Sequence, residues 1–358
     1  MLKFSCVASL ASAMFLKVYF VLFLLDGTIT YMKTDILAIG DVVIDAFIRL
    51  KEAEVRCDEH KQNCKLCLSF ADKVPYESVE ICKAVGNSAN ASVSAARLGL
   101  NSALLSYVGN DRNGDECVEE LQKNNVHTEY VRKEDGKVTN YHYVLWYDVD
   151  RTILVKHETY NYSLGNIEAP KWIYLSSMGE NSLEFHMEIA DFLDKNPDTK
   201  LVFQPGTFQM KFGKDALARI YKKTDIFFCN VEESQRILGR SDTRDLPTLM
   251  KEMMALGPKI VCITDGIDGA YAYDGTHMWF MSVYPHVPFE RTGAGDAFAS
   301  TVTSALLLGK TLEEAMMWGP INSMSVVQKV GAQKGLLTRE RLEEYLRNAP
   351  TDYKPRLL

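Results

Sequence analysis

The chain has 358 residues, of which 47% are hydrophobic and 24% charged, the make-up of an ordinary globular protein and not of a disordered one. A formal net charge of −7 excludes a broad nucleic-acid surface, since phosphate backbones are held by clustered Lys and Arg. Eight cysteines are too few for a disulfide scaffold and read as thiols of a reducing, cytoplasmic compartment.

Lys3 precedes an apolar run, residues 6–25, that Lys17 interrupts. A signal peptide, a short anchor and an upstream mis-start all fit it, and Met32, directly before a strand, favours the last, with residues 1–31 outside the fold and 32–358 forming it. Residues 35–39 are a short, glycine-bounded apolar run, as in a buried parallel strand. Residues 42–48 continue extended, and Asp45 within them is either paired or turned to a ligand, the reading preferred here. Residues 49–75 read as an excursion from the core. Within it Cys57, His60, Cys64 and Cys67 have the residue types and close spacing of a tetrahedral zinc site, although unligated thiols in a loop are the ordinary alternative.

Gly86-Asn87-Ser88-Ala89-Asn90 opens a small-residue helix closed by Gly99, with an N-cap as the ordinary role for one of its two Asn. Residues 102–108 read as a strand, 114–124 as an amphipathic helix, and 139–157 as at least two strands whose Tyr141, Tyr143, Trp146 and Tyr147 line a pocket or pack a sheet face. From residue 171 strands at 172–175, 200–204, 225–229 and 259–264 alternate with helices, and a hairpin follows at 271–284. That rhythm implies a parallel sheet covered on both faces, with ligands at the carboxyl ends of its strands.

Asn230-x-x-Glu233 and Thr264-x-Gly266-x-x-Gly269 fall at such ends. The first suits Mg²⁺ held through water, or is simply a helix cap; the second lets phosphate oxygens approach the backbone, or is a plain turn. Arg291-Thr292-Gly293-Ala294-Gly295-Asp296 runs straight into a helix, so bare backbone N–H groups and the helix dipole make an anion cradle. Asp296 beside it is a helix cap or a base for an attacking hydroxyl. Gly309-Lys310-Thr311 imitates the end of a Walker A loop, but Ser304 stands where its first glycine must be.

The order of Gly86-Asn87-Ser88-Ala89-Asn90, Asn230-x-x-Glu233 and the Gly293-Ala294-Gly295-Asp296 turn resembles the ribokinase-like, or PfkB, family of sugar and nucleoside kinases, from about residue 35 to the C-terminus. The resemblance implies a three-layer α/β/α sandwich with a mainly parallel sheet and a small β lid, from about 46–84 and 136–163, that also makes a homodimer. It implies ATP and Mg²⁺, with Asp296 as base, the amides of Gly293, Ala294 and Gly295 as anion hole, and Glu233 with Asn230 organising Mg²⁺. Thr264, Gly266, Gly269 and Asn322 would meet the nucleotide, and Asp45, Gly86, Asn87 and Asn90 the acceptor. Arg291 and Glu290 depart from the family pattern, which leaves dependence on a monovalent cation open, and Val85 and Val43 argue against D-ribose. A sugar or sugar acid is the expected acceptor, a nucleoside the alternative, and a catalytically silent sugar sensor a third reading.

Overall fold

Ile36-Leu37-Ala38-Ile39 is wholly buried, and in the computed structural model, which describes residues 33–58 and 64–358, it forms strand β1 (Ile36–Ile39) inside a ten-stranded sheet. A strand paired on both sides and covered on both faces has no polar edge to present, hence the unbroken apolar run.

After β1 come β2 (Val43–Leu50), β3 (Glu54–Arg56), β4 (Lys65–Cys67), β5 (Tyr76–Val85) and helix α1 (Asn87–Arg97). Then follow β6 (Ser102–Gly109), α2 (Arg112–Lys123), β7 (Val131–Glu134), β8 (Tyr141–Tyr147), β9 (Asp150–Leu154) and β10 (Trp172–Leu175). The second half runs α3 (Leu183–Lys195), β11 (Lys200–Phe203), α4 (Thr207–Phe212), α5 (Ala218–Lys223), β12 (Thr224–Asn230), α6 (Val231–Leu238), α7 (Leu246–Met254) and β13 (Ile260–Thr264). Hairpin β14 (Ala270–Tyr273) and β15 (Met278–Met281), helices α8 (Ala294–Leu307), α9 (Leu312–Val326) and α10 (Arg339–Arg347), and β16 (Arg356–Leu357) complete it.

The large sheet has the order β16-β15-β14-β13-β12-β11-β10-β1-β6-β7, parallel from β13 to β7. Alternate residues divide between its faces: Ile36 and Ala38 pack with α1, α8 and α9, while Leu37 and Ile39 pack with α3, α6 and α7. The expected α/β/α sandwich is therefore present. Beyond β1 the chain turns first to β6 and later to β10 on the other side, so the carboxyl end of β1 is a switch point where a crevice must open.

A smaller sheet, β5-β2-β8-β9, packs Val43, Phe47, Cys82, Val85 and Val144 into a separate apolar cluster. The excursion at 49–75 is in part ordered as the pair β3–β4. Cys57 and Cys64 form a disulfide there, which corrects the reading of all cysteines as thiols and removes two of the proposed zinc ligands; Cys67 is free, and His60 and residues 1–31 lie outside the described residues. Among the described residues no group of His, Cys, Asp or Glu is arranged to hold a metal, and no helix is long and apolar enough to cross a membrane.

Close helix packing sets the site. A Cβ on Gly319 of α9 would lie 2.6 Å from the Phe298 ring of α8, so only glycine allows this approach. On its other flank α8 meets α1, whose Ala89, Ser92 and Ser94 are buried and small. Arg97, at the end of α1, donates to the carbonyls of Gln333 and Leu336 and ties that helix to the C-terminal segment.

His186 of α3 is fully buried: its Nδ1 is bonded to the Ser182 carbonyl, and its Nε2 takes a hydrogen bond from Gln209. Both nitrogens are used by the neutral ring, and burial lowers its pKa from 6.5 to about 4. As pH falls through 6.5 the unfolded chain takes up the proton first, so stability is lost between pH 6.5 and about 4. Urea unfolding at pH 7 and pH 4.5 should show the wild type losing about 2–3 kcal/mol more than His186→Gln over that interval.

Candidate active site

The carboxyl ends of β1, β10, β11, β12 and β13 converge with the start of α8 on a cleft of about 640 Å³. At its floor lies Asp296, in the first turn of α8. Its Oδ1 accepts from Asn87 Nδ2 at 2.7 Å and Gln204 Nε2 at 3.1 Å, and its Oδ2 from Asn90 Nδ2 at 2.8 Å. Burial raises the carboxyl above its ordinary value, opposed by the amides of Asn90, Gln204 and Asn87 and by the charge of Arg151.

The helix cap is not an Asn. Gly86 is the N-cap of α1, at φ 110°, and a Cβ there would meet the Asp41 carbonyl at 2.7 Å. Asn87 and Asn90 stand three apart on one helical face, and both serve Asp296. Asp296 does not cap α8 either, because Gly293 holds the N-cap in the left-handed region at φ 82°. The Ala297 N–H bonds the Gly293 carbonyl at 2.8 Å, and the Ala294 N–H reaches the Arg291 carbonyl at 3.4 Å. Gly293, Ala294 and Gly295 all line it.

A second cavity of about 560 Å³ adjoins the first, with Arg151, Asn230, Thr264, Arg291, Ala294 and Gly295 lining both. Gly266 and Gly269, at positive φ, lie in its wall. Asn230 and Glu233 form a reciprocal capping box, Glu233 N–H to Asn230 Oδ1 at 2.8 Å and Asn230 N–H to Glu233 Oε2 at 2.9 Å. The ordinary capping role is thus real, yet both side chains also line the first cleft, and burial raises the Glu233 carboxyl. Asn322 is corrected: fully buried, it bonds Thr301 and the Leu337 N–H within the core and lines neither cavity.

Asp45 is buried in the cleft wall, with His142 Nδ1 3.4 Å from its Oδ1. Neither that Oδ1 nor His142 Nε2 makes a hydrogen bond. Sequence reasoning missed Asp41, which accepts from Tyr162 at 2.8 Å and faces His157 at 3.2 Å, and also Gln204, Arg151 and Lys211 in the same cleft. Gln204 carried a signal, a polar residue ending an apolar strand before Pro205. The aromatic stretch Tyr141, Tyr143, Trp146 and Tyr147 lines neither cavity; Trp146 stacks with Arg49 and Phe289. Glu290 is fully buried and accepts from the Thr292 N–H at 2.8 Å and its hydroxyl at 2.6 Å. Arg291 reaches Asp150 of β9, 3.6 Å away, joining the glycine turn to the small sheet.

Residues 34–339 match the model of the pfkB family of carbohydrate kinases. The chain is 26% identical over 312 residues to an ATP-dependent 6-phosphofructokinase of Thermoanaerobacterium thermosaccharolyticum, covering 84% of this chain and 90% of that protein. It is 26% identical to a ribokinase of Bacillus subtilis, over 73% of this chain and 87% of the relative. Among solved structures the nucleoside kinase of Methanocaldococcus jannaschii aligns with TM-score 0.71 at 18% identity, over 88% of this chain and 99% of that one. The Arabidopsis thaliana ribokinase complexed with ribose and ATP aligns with TM-score 0.70 at 19%, over the same shares.

The two cradle glycines should respond differently to a methyl group. A Cβ on Gly293 would lie 2.4 Å from that of Ala332, whereas one on Gly295 meets nothing within 4 Å. In urea unfolding Gly293→Ala should lose about 1–3 kcal/mol, and Gly295→Ala should keep or gain up to about 1 kcal/mol.

Proposed function

The chain belongs to the pfkB family of carbohydrate kinases, phosphotransferases with an alcohol group as acceptor, and from that premise we propose that it transfers the γ-phosphoryl group of ATP to a hydroxyl of a small sugar or sugar acid. The observation that carries this reading is the Asp296 carboxylate, held by three amides in the first cavity beside a glycine turn whose Ala294 and Gly295 line both cavities. Asp296 takes the proton of the acceptor hydroxyl, the oxygen forms its bond to the γ-phosphorus, the bond to the β,γ-bridging oxygen breaks, and ADP leaves. The start of α8 and Arg151 meet the charge that spreads over the phosphoryl oxygens. Glu233 and Asn230, oxygen donors on the cleft wall, fit Mg²⁺ held through water, which neutralises phosphate charge when bound.

For the acceptor, Asp41, Asp45, Asn87, Asn90 and His157 supply a polar wall suited to several hydroxyl groups, and Lys211 adds a cation that a sugar-acid carboxylate can meet. A nucleoside is disfavoured because Tyr141, Tyr143, Trp146 and Tyr147 line neither cavity, and Phe208 in the cleft is engaged edge to face with His157.

We propose further that the small sheet is the lid and joins two copies. Its registers put Ile81, Ala46, Tyr143 and Leu154 in one row and Val79, Ile48, Leu145 and Thr152 in the next. Ile81, Tyr143 and Leu154 are each about half exposed, an apolar face that a second copy would cover. Light scattering after size exclusion should give a dimer that Tyr143→Asp converts to monomer; a wild-type monomer at every concentration ends this part of the proposal.

ADP release from ATP and Mg²⁺ tests the main reading across sugars, sugar acids, sugar phosphates and nucleosides. Turnover should appear on one sugar class, fall by about 10²–10⁴-fold in Asp296→Asn, and fall by about 10²-fold in kcat for Arg151→Ala. Ligand binding without turnover on any acceptor would favour the silent sensor.

A further inference from the structure

The amides that hold Asp296 are themselves held. A side-chain amide has a donor end and an acceptor end of nearly the same shape, and only the donor end stabilises a carboxylate. For one of the three amides on Asp296 a second residue settles which end faces it, and for another a hydroxyl engages the acceptor end that faces away. Tyr174, wholly buried on β10, donates its hydroxyl to Gln204 Oε1 at 2.5 Å. Gln333, beyond α9, donates through Nε2 to Asn90 Oδ1 at 3.0 Å and to the Ala84 carbonyl at 2.7 Å. A flip of Gln204 would turn its N–H₂ to the Tyr174 hydroxyl and its oxygen to the carboxylate; a flip of Asn90 would set N–H₂ against N–H₂ at Gln333 and oxygen against oxygen at Asp296.

Resting on the reading of Asp296 as base, we propose that Tyr174 and Gln333 are positioning residues, Gln333 locking Asn90 and Tyr174 engaging the oxygen of Gln204, so that both amides keep their N–H groups toward Asp296 and the base stays ionised and aimed. Geometry gives each a single task. Tyr174 sits in the sheet and touches the cleft only through Gln204, for it is not among the lining residues, and neither is Gln333. The Ala84 carbonyl that anchors Gln333 belongs to a residue held at φ 54°, two positions before the Gly86 cap of α1, so the same amide registers the helix that carries Asn87 and Asn90.

The elements packed around Asp296 bring few charges to it. Asn87 and Asn90 from α1 and Gln204 after β11 are neutral; Arg151 of β9 favours the ionised form, Glu233 of α6 is a like charge, and Tyr174 is an un-ionised phenol whose own pKa is pushed up by burial and by Asp296. Against that background each amide N–H on the carboxylate has a measurable weight. Loss of one donor raises the carboxyl pKa, because the charged form loses more than the neutral one. The acidic limb of kcat/KM, where activity falls as Asp296 becomes protonated, then moves to higher pH.

The test titrates Asp296 itself. Aspartate carboxyl carbons are labelled with ¹³C in the full chain, and the Asp296 signal is identified by its absence from Asp296→Asn. Tyr174→Phe, which removes only a hydroxyl, and Gln333→Leu should each raise the Asp296 midpoint by about half to one pH unit, with the acidic limb of kcat/KM moving by the same amount on the best acceptor of the panel. Gln204→Leu, which removes the donor outright, should shift at least as far as Tyr174→Phe. An unmoved midpoint in folded Tyr174→Phe, whatever happens to stability, overturns the proposal for that pair, and Gln333→Leu decides the other. If Asp296→Asn keeps full turnover, the base reading falls, while the midpoints still decide whether the two residues hold the carboxylate ionised.

Discussion

A partly buried carboxylate held by three side-chain amides constrains every element that supplies one, and the way Asp296 is held organises much of this molecule. Its donors arrive from the start of α1 and the end of β11, while the carboxylate itself rides on α8. Two helices and a strand end must therefore meet within hydrogen-bond distance of one side chain. The small residues of α1 and the bare Gly319 beneath Phe298 become intelligible as the spacing that allows this meeting. Burial and the amides pull the carboxyl pKa in opposite directions, and burial prevails.

The sheet supplies the second half of the design. Strand order reverses around β1, so the loops after β1, β10, β11, β12 and β13 all open on the same side. One cavity gathers the carboxylates Asp41 and Asp45 with their histidines, the other gathers the glycines after β13, and the glycine turn of α8 is the wall between them. Arg151 and Arg291 stand on that wall; Arg291 also reaches Asp150, so the small sheet is linked electrostatically to the turn it overhangs.

The fold was largely legible because its signals are local. Apolar four-residue runs such as Ile36–Ile39 and Trp172–Leu175, bounded by turn residues, fit buried strands better than helices, and strands they are. What stayed hidden depends on distant partners. Gln204, His142 and His157 look like any polar residue at a strand end or in an alternating strand; only the assembled sheet brings them to the cleft. Asn322 shows the converse, a polar residue in a plausible region whose amide is spent on Thr301 and Leu337. Cys57 and Cys64 were read as metal ligands or thiols because close spacing suits several chemistries, and backbone direction chose the disulfide. Asn230 and Glu233 form the capping box that was the ordinary one of their two readings, and that box stands at a strand's carboxyl end in the cleft wall.

The bond from Asn87 to Asp296 joins residues 209 positions apart, and that from Gln333 to Ala84 joins residues 249 apart. Arg97 closes a loop of similar length on the carbonyls of Gln333 and Leu336. Contacts of such separation carry a large loop-closure entropy and form late in folding. During synthesis the first half of the sheet can assemble while the cleft still lacks Asp296, and α1 exposes a small-residue face until α8 emerges. A chain that stops short of Gln333 consequently carries α1 with Asn87 and Asn90 but lacks the segment that registers that helix through the Ala84 carbonyl and Arg97.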